Sequence, residues 1–119
     1  TFGQSNSANF GQTRHAATDG VLNFNIHDGQ CYSAVDPLLG ADGAGGSVWG
    51  RVGDALIASG AFDRVLVVPF GIGSTGIAEW TTGGRLHPRI AFAARQLARA
   101  RITPTHVLWH QGENDARRN

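Results

Sequence analysis

Cysteine is almost missing from this chain: Cys31 is the only one in 119 residues. A lone thiol excludes an internal disulfide, and without a second cysteine nearby the usual zinc-binding spacings are excluded too. Long apolar runs are also missing. None approaches the roughly 20 residues of a membrane-spanning helix, and no charged-then-apolar leader opens the chain. Excess charge is missing as well. The formal net charge is +1 with neutral histidines, so no strong field favours nucleic acid or an anionic membrane as partner. Lysine is absent and all ten basic residues are arginine, a bias that carries no functional reading.

What remains suits one small domain. Apolar residues make up 41% and charged residues 16%, enough to build a core and unlike a disordered composition. Residues 19–46, rich in Gly, Asp, Asn and Ser, read mostly as loop. Ser47 is placed to cap a helix that carries Val48, Val52, Ala55 and Leu56 at helical spacing, with Gly60 to close it. Residues 64–70 (RVLVVPF) form a short apolar run rich in β-branched side chains, as in a parallel strand buried on both faces. Residues 88–101 predict a second helix, with Ile90, Ala93, Ala94 and Leu97 on its apolar face and Pro104 beyond its end. Residues 105–110 (THVLWH) predict a second buried strand. Helix, strand, loop, helix, strand is the order of an open α/β sheet, whose functional loops lie at the carboxyl ends of the strands.

Three polar loops carry the candidate chemistry. The first, TFGQSNSAN, holds Ser5 between Gly3–Gln4 and Asn6, as a nucleophile at a strand-to-helix turn or as a capping serine. The second, GIGSTGIAEW, contains Gly71, Gly73 and Gly76 in a G-x-G-x-x-G spacing. A dinucleotide site needs a helix opening at the third glycine and an acid about 20 residues further on. Here IAEWTTGGRLHP is a poor helix, and no Asp or Glu lies between Glu79 and Glu113. The remaining readings are a plain turn and a loop that aims backbone N–H groups at a developing oxyanion. The third, WHQGEND, packs Gln111, Glu113, Asn114 and Asp115 together. Its amides are oxyanion donors by type, and its carboxylates are an acid/base pair or supports for the loop.

GQSN, DPLL (residues 36–39), VPFGIGSTGIAEW and WHQGEND, in this order, resemble the blocks of SGNH-type hydrolases. The match is to the sialate O-acetylesterase-like branch, which includes the acetylxylan esterases of carbohydrate esterase family six. The resemblance covers nearly the whole chain, with loosely matching connections. It implies a three-layer α/β sandwich around a central parallel sheet, flavodoxin-like, of which residues 1–119 are a partial domain, incomplete at both ends. Ser5 matches the nucleophile. The N–H groups of Ser5 and Gly73 match the oxyanion hole, and Ser74 stands where the branch has a second glycine. Asn114 fits the G-x-N-D block literally, while the branch also makes Gln111 a candidate donor. Glu113 and Asp115 are then supporting residues. The resemblance implies no metal or organic cofactor, acetylated carbohydrate (xylan, sialic acid or another acetyl sugar) as substrate, and a secreted or periplasmic location.

The family takes its base from a D-x-x-H block near the end of the domain, and this sequence contains none. His15, His27, His87, His106 and His110 do not match that position. The strand that should carry GQSN is reduced to residues 1–2, too short for a first strand. The expectation is an internal piece of a longer hydrolase, inactive alone because its serine lacks a base. The alternatives are a noncatalytic carbohydrate-binding or vestigial module, with Trp49, Trp80 and Trp109 as stacking surfaces, and Cys31 as nucleophile, against which an ordinary loop cysteine is the plainer reading.

Overall fold

The computed structural model describes residues 1–118. Strand β1 is Phe2–Gly3 and runs into a 3-10 turn, Ser5–Ser7. Strands β2 (Val21–Asn25) and β3 (Gln30–Ser33) form a hairpin, followed by helix α1 (Val48–Ala58) and strand β4 (Val65–Val67). Helices α2 (Ile77–Trp80) and α3 (His87–Arg99), strand β5 (Trp109–His110) and helix α4 (Glu113–Arg118) complete the order. No helix among the described residues is long and apolar enough to cross a membrane.

The helices begin and end for local reasons. Ser47 stays extended and its Oγ accepts the Trp49 N–H at 3.2 Å, satisfying one free donor at the start of α1. Gly60, at φ 74°, turns the chain out of that helix. In α3 a proline occupies the first turn, where its missing N–H has no cost, and Arg101 leaves the helix at φ 57°.

Strand β4 shows how the core is divided. Val65 and Val67 belong to a cluster with Val21, Leu38 and α1's Trp49. Leu66 and Val68 pack instead with Phe24, Ile26, Phe70, Trp80 and α3's Ala93 and Leu97. The period-two alternation of a strand therefore gives β4 apolar partners on both faces, but of its three residues only Val67 is buried, because an open cleft runs beside it.

The pairing is mixed. β2 lies parallel to β4, and β1 parallel to β5, while β2 and β3 are antiparallel. The two ladders, β3-β2-β4 and β1-β5, are joined by backbone bonds just past β4: Phe70 N–H donates to Thr1 O and Ile72 N–H to Gly3 O, both at 3.0 Å. This stitching brings the carboxyl ends of β1, β4 and β5 side by side, so the three polar loops leave the fold together.

Two expectations need correction and a third needs refinement. Residues 19–46 are mostly loop, as read, but five of them in β2 and four in β3 form the β2–β3 hairpin. Its turn is held by Asp28, whose carboxylate accepts the Gln30 N–H at 3.0 Å and the Tyr32 hydroxyl at 2.7 Å. All four residues of β3 are exposed, so the strand carries no apolar run to betray it. The strand expected over residues 64–70 is regular only over Val65–Val67. The strand expected over residues 105–110 shrinks to Trp109–His110 and is exposed rather than buried, with Val107 73% exposed. Residues 103–108 face β4 across an open apolar cleft of about 740 Å³, and none of the described residues covers them.

Candidate active site

The first loop is fixed from below. Gly3 sits at φ 136°, and a side chain there would run into the His110 carbonyl. Only glycine lets β1 approach β5 this closely, with the Gln4 N–H bonded to His110 O at 3.1 Å. Gln4 is buried, and its side-chain oxygen accepts the N–H of Asn114 at 3.0 Å and that of Gly112 at 3.4 Å. One amide thus locks the third loop onto the first. Ser5 follows, half-buried, at the start of the 3-10 turn, which the buried Ser7 braces by donating its hydroxyl to Gln4 O at 2.8 Å.

The second loop explains its own glycine spacing. A side chain at Gly71 would overlap the buried Ser7 hydroxyl. One at Gly73 would stand 2.7 Å from Phe10 Cζ, and one at Gly76 2.6 Å from Asp115 Oδ1. Each glycine meets a different neighbour, and none needs a phosphate. The helix after the third glycine has four residues, too few to form a dinucleotide's anion-binding terminus. The Gly73 N–H is directed to the Asp42 carboxylate at 3.0 Å. Ser74 adopts φ 58° and is exposed. Its N–H donates to no group among the described residues. Thr75 is buried and relays a bond from the Trp80 indole, at 3.0 Å, to Ile72 O, at 2.9 Å.

The third loop divides its polar groups between support and cleft. The Gln111 side chain donates to Asp115, to Thr75 O at 3.3 Å and to Gln4 Oε1 at 3.4 Å. Asp115 also accepts the Ile77 N–H at 2.9 Å, tying α4 to α2. These bonds, first from Gln111 and then from Ile77, hold the Asp115 carboxyl below its ordinary value. Glu113 accepts from Asn6 Nδ2, and His110 Nε2 lies 3.5 Å from the same oxygen. Its own backbone N–H, then Asn6, lowers its pKa. The second Glu113 oxygen is buried and has no partner among the described residues. Asn114 donates its side-chain N–H to Ser74 O at 3.2 Å.

Where the loops meet they enclose a polar cleft of about 170 Å³, lined by Gln4, Ser5, Asn6, Ser74, Glu113, Asn114 and Arg117. Of the residues singled out in the sequence, Ser5, Glu113 and Asn114 line it. Gly73, Gln111 and Asp115 stand behind its wall, engaged with Asp42, Thr75 and Ile77 respectively. Gln4 and Asn6, noted only as flanks of Ser5, and Ser74, noted only as a departure from the branch pattern, also line the cleft, as does Arg117, which drew no attention. For Gln4, Asn6 and Ser74, presence inside the matched blocks was the available signal. Four of the five histidines have neighbours outside the cleft: Asp54 for His15, Phe92 for His27, Trp80 O for His87 and Thr105 for His106; His110 lies 3.5 Å from Glu113, which lines the cleft.

Of the three tryptophans offered as stacking surfaces in the noncatalytic alternative, two are not available to a ligand. Trp49 and Trp80 are core residues, each with its indole N–H satisfied internally, by Ser7 O and Thr75 Oγ1. Trp109 is partly exposed but packs edge-on against Phe2 and Trp80. Cys31 is free and exposed on β3, outside the cleft.

A protein from Arabidopsis thaliana, solved by X-ray diffraction at 1.6 Å, shares the fold with a TM-score of 0.73 at 19% sequence identity. The alignment covers 96% of this chain and 56% of that one, so the chain spans little more than half the length of the structure it matches. No curated protein matches the chain. The family model for carbohydrate esterases described as sialic acid-specific acetylesterases matches residues 1–119. With its three polar loops gathered on one cleft and that match running its full length, the chain belongs to this carbohydrate esterase family.

Proposed function

We propose that this chain carries the nucleophile and oxyanion-binding part of a serine esterase that removes O-acetyl groups from carbohydrate. The observation that carries the reading is the cleft itself: Ser5 shares it with the Asn114 amide and the exposed turn at Ser74. Ser5 Oγ attacks the acetyl carbonyl, and the carbonyl oxygen gains negative charge in the tetrahedral intermediate. The Ser5 N–H and the Asn114 side-chain N–H stabilise that charge, each donor lowering the barrier by roughly 3–4 kcal/mol. Gln111 supports Asn114 through the loop and does not itself donate to the oxyanion. Collapse breaks the bond to the sugar oxygen, which departs as a hydroxyl with the proton the base took from Ser5, and leaves an acetyl-Ser5 ester that water then hydrolyses.

The step needs a base to take the Ser5 proton. In this reading a histidine oriented by an aspartate, both outside residues 1–119, supplies it in the longer protein. The 119-residue chain alone is therefore expected to be inactive. Measurable, Ser5-dependent hydrolysis of an aryl acetate by the isolated chain would refute this division of labour.

The test of the main reading uses the full-length protein with an aryl acetate and with acetylated sugars. Ser5→Ala is expected to lower kcat by about 10³-fold or more. Hydrolysis within a few fold of wild type in that variant would sink the assignment. Glycan binding with no hydrolysis by either form would favour a noncatalytic module instead.

A further inference from the structure

The Gly73 N–H points at a carboxylate, where an oxyanion donor must be free. Asp42 Oδ2 accepts it at 3.0 Å, and Asp42 Oδ1 accepts the Gly43 N–H at 2.8 Å. The backbone of Asp42 is tied on both sides. Its N–H donates to Gly71 O at 2.9 Å, and its carbonyl accepts the Asn9 N–H at 2.9 Å. Asn9 is itself buried and fixed to Leu38 by a bond in each direction, at 2.8 and 2.9 Å. Asp42 is therefore a rigid post, gripping Gly71 by its main chain and Gly73 by its carboxylate. The next residue, Ser74, takes a left-handed conformation at φ 58° and lines the cleft with Ser5. A β-carbon costs energy in that conformation, so something must hold the turn there.

We propose that Asp42 is a positioning residue for the oxyanion site: by occupying the Gly73 N–H it sets the Gly71–Ser74 turn so that the Ser74 N–H, and not that of Gly73, is the backbone donor this loop offers to the oxyanion. The inference rests on the esterase reading of Ser5. It explains why an exposed aspartate is anchored so firmly beside the loop. It also explains why serine in place of a second glycine leaves the donor intact, since the group used is the main-chain N–H.

Two measurements test it together. Amide hydrogen exchange on the full-length protein is expected to show Gly73 protected and Ser74 exchanging freely. The reverse pattern would overturn the proposal without recourse to any variant. In the full-length enzyme, Asp42→Ala is expected to lower kcat for an aryl acetate by at least about tenfold with KM nearly unchanged, since donor placement acts in the transition state. Asp42→Asn keeps a carbonyl acceptor of the same shape and is expected to recover most of that loss. Wild-type kcat in a folded Asp42→Ala enzyme would refute the role. Equal loss in both variants, with a parallel fall in Tm, would reduce Asp42 to a structural residue. Ser5→Ala run alongside separates the two readings: activity surviving there overturns the esterase assignment, whatever Asp42 does.

Discussion

Asn114 and Gln111 are both amides in one loop, and either fits an oxyanion donor by type. Their bonds separate them. Gln111 spends its N–H groups on Asp115, Thr75 O and Gln4, while the Asn114 side chain donates to the Ser74 carbonyl, beside the cleft that holds Ser5. In the full-length enzyme Asn114→Ala is expected to lower kcat by about 10²–10³-fold with little change in Tm. Gln111→Ala is expected to lower Tm, and to affect kcat less than Asn114→Ala does. The comparison is steady-state kinetics beside thermal melting of the same preparations, and the opposite ranking in kcat would exchange the two roles. At this scale the sequence was legible in kind but not in assignment. Block matching pointed to Ser5, Glu113 and Asn114, which do line the cleft. It also pointed to Gly73, whose N–H is taken by Asp42, 31 positions away in the chain. No local pattern reveals a bond of that range.

Between elements, glycine sets how closely the loops stack. Gly71 lies on Ser7, so the loop after β4 rests directly on the turn that carries Ser5. Gly71→Ala is expected to destabilise the chain by about 1–3 kcal/mol through overpacking. Adding Ser7→Ala should relieve part of that penalty, so the double variant should cost less than the two single changes summed. Denaturant melts of the four proteins measure this, and strict additivity would mean that the two residues do not press on one another. Helices α1 and α3 were well marked in the sequence because their signals are local: Ser47 and Gly60 bracket α1, and Pro88 marks the start of α3. The short α2 and α4 were not, and the third polar loop in fact runs into α4 at Glu113. The β2–β3 hairpin was hidden because β3 buries nothing. The burial of residues 105–110 was misjudged because an apolar run says what a segment favours, not whether anything covers it.

For the molecule as a whole, acid sensitivity follows from the same ties that build the cleft. Asp115, Glu79 and Glu113 all have pKa values lowered by hydrogen bonds, led by Gln111, the Gly76 N–H and the Glu113 N–H respectively. A carboxylate depressed in the folded state stabilises it above the unfolded pKa, and that contribution is lost as pH falls through the folded value. Thermal stability should therefore fall once pH drops below the ordinary values of 3.8 for Asp and 4.5 for Glu. Asp115→Asn should flatten that acid limb. A Tm unchanged from pH 6 to pH 2.5 would contradict it. The α/β order and the gathering of three loops at strand ends were readable because they follow from the sequence of elements. The mixed pairing and the open cleft beside β4 were not, since both depend on which strands meet.

The central claim, that Ser5 is the nucleophile, is tested most directly by treating the full-length protein with a fluorophosphonate and mapping the adduct by peptide mass spectrometry. The account predicts one phosphonyl group, carried on Ser5, with esterase activity lost in step. Activity lost through labelling at another residue, with Ser5 unmodified, would contradict it.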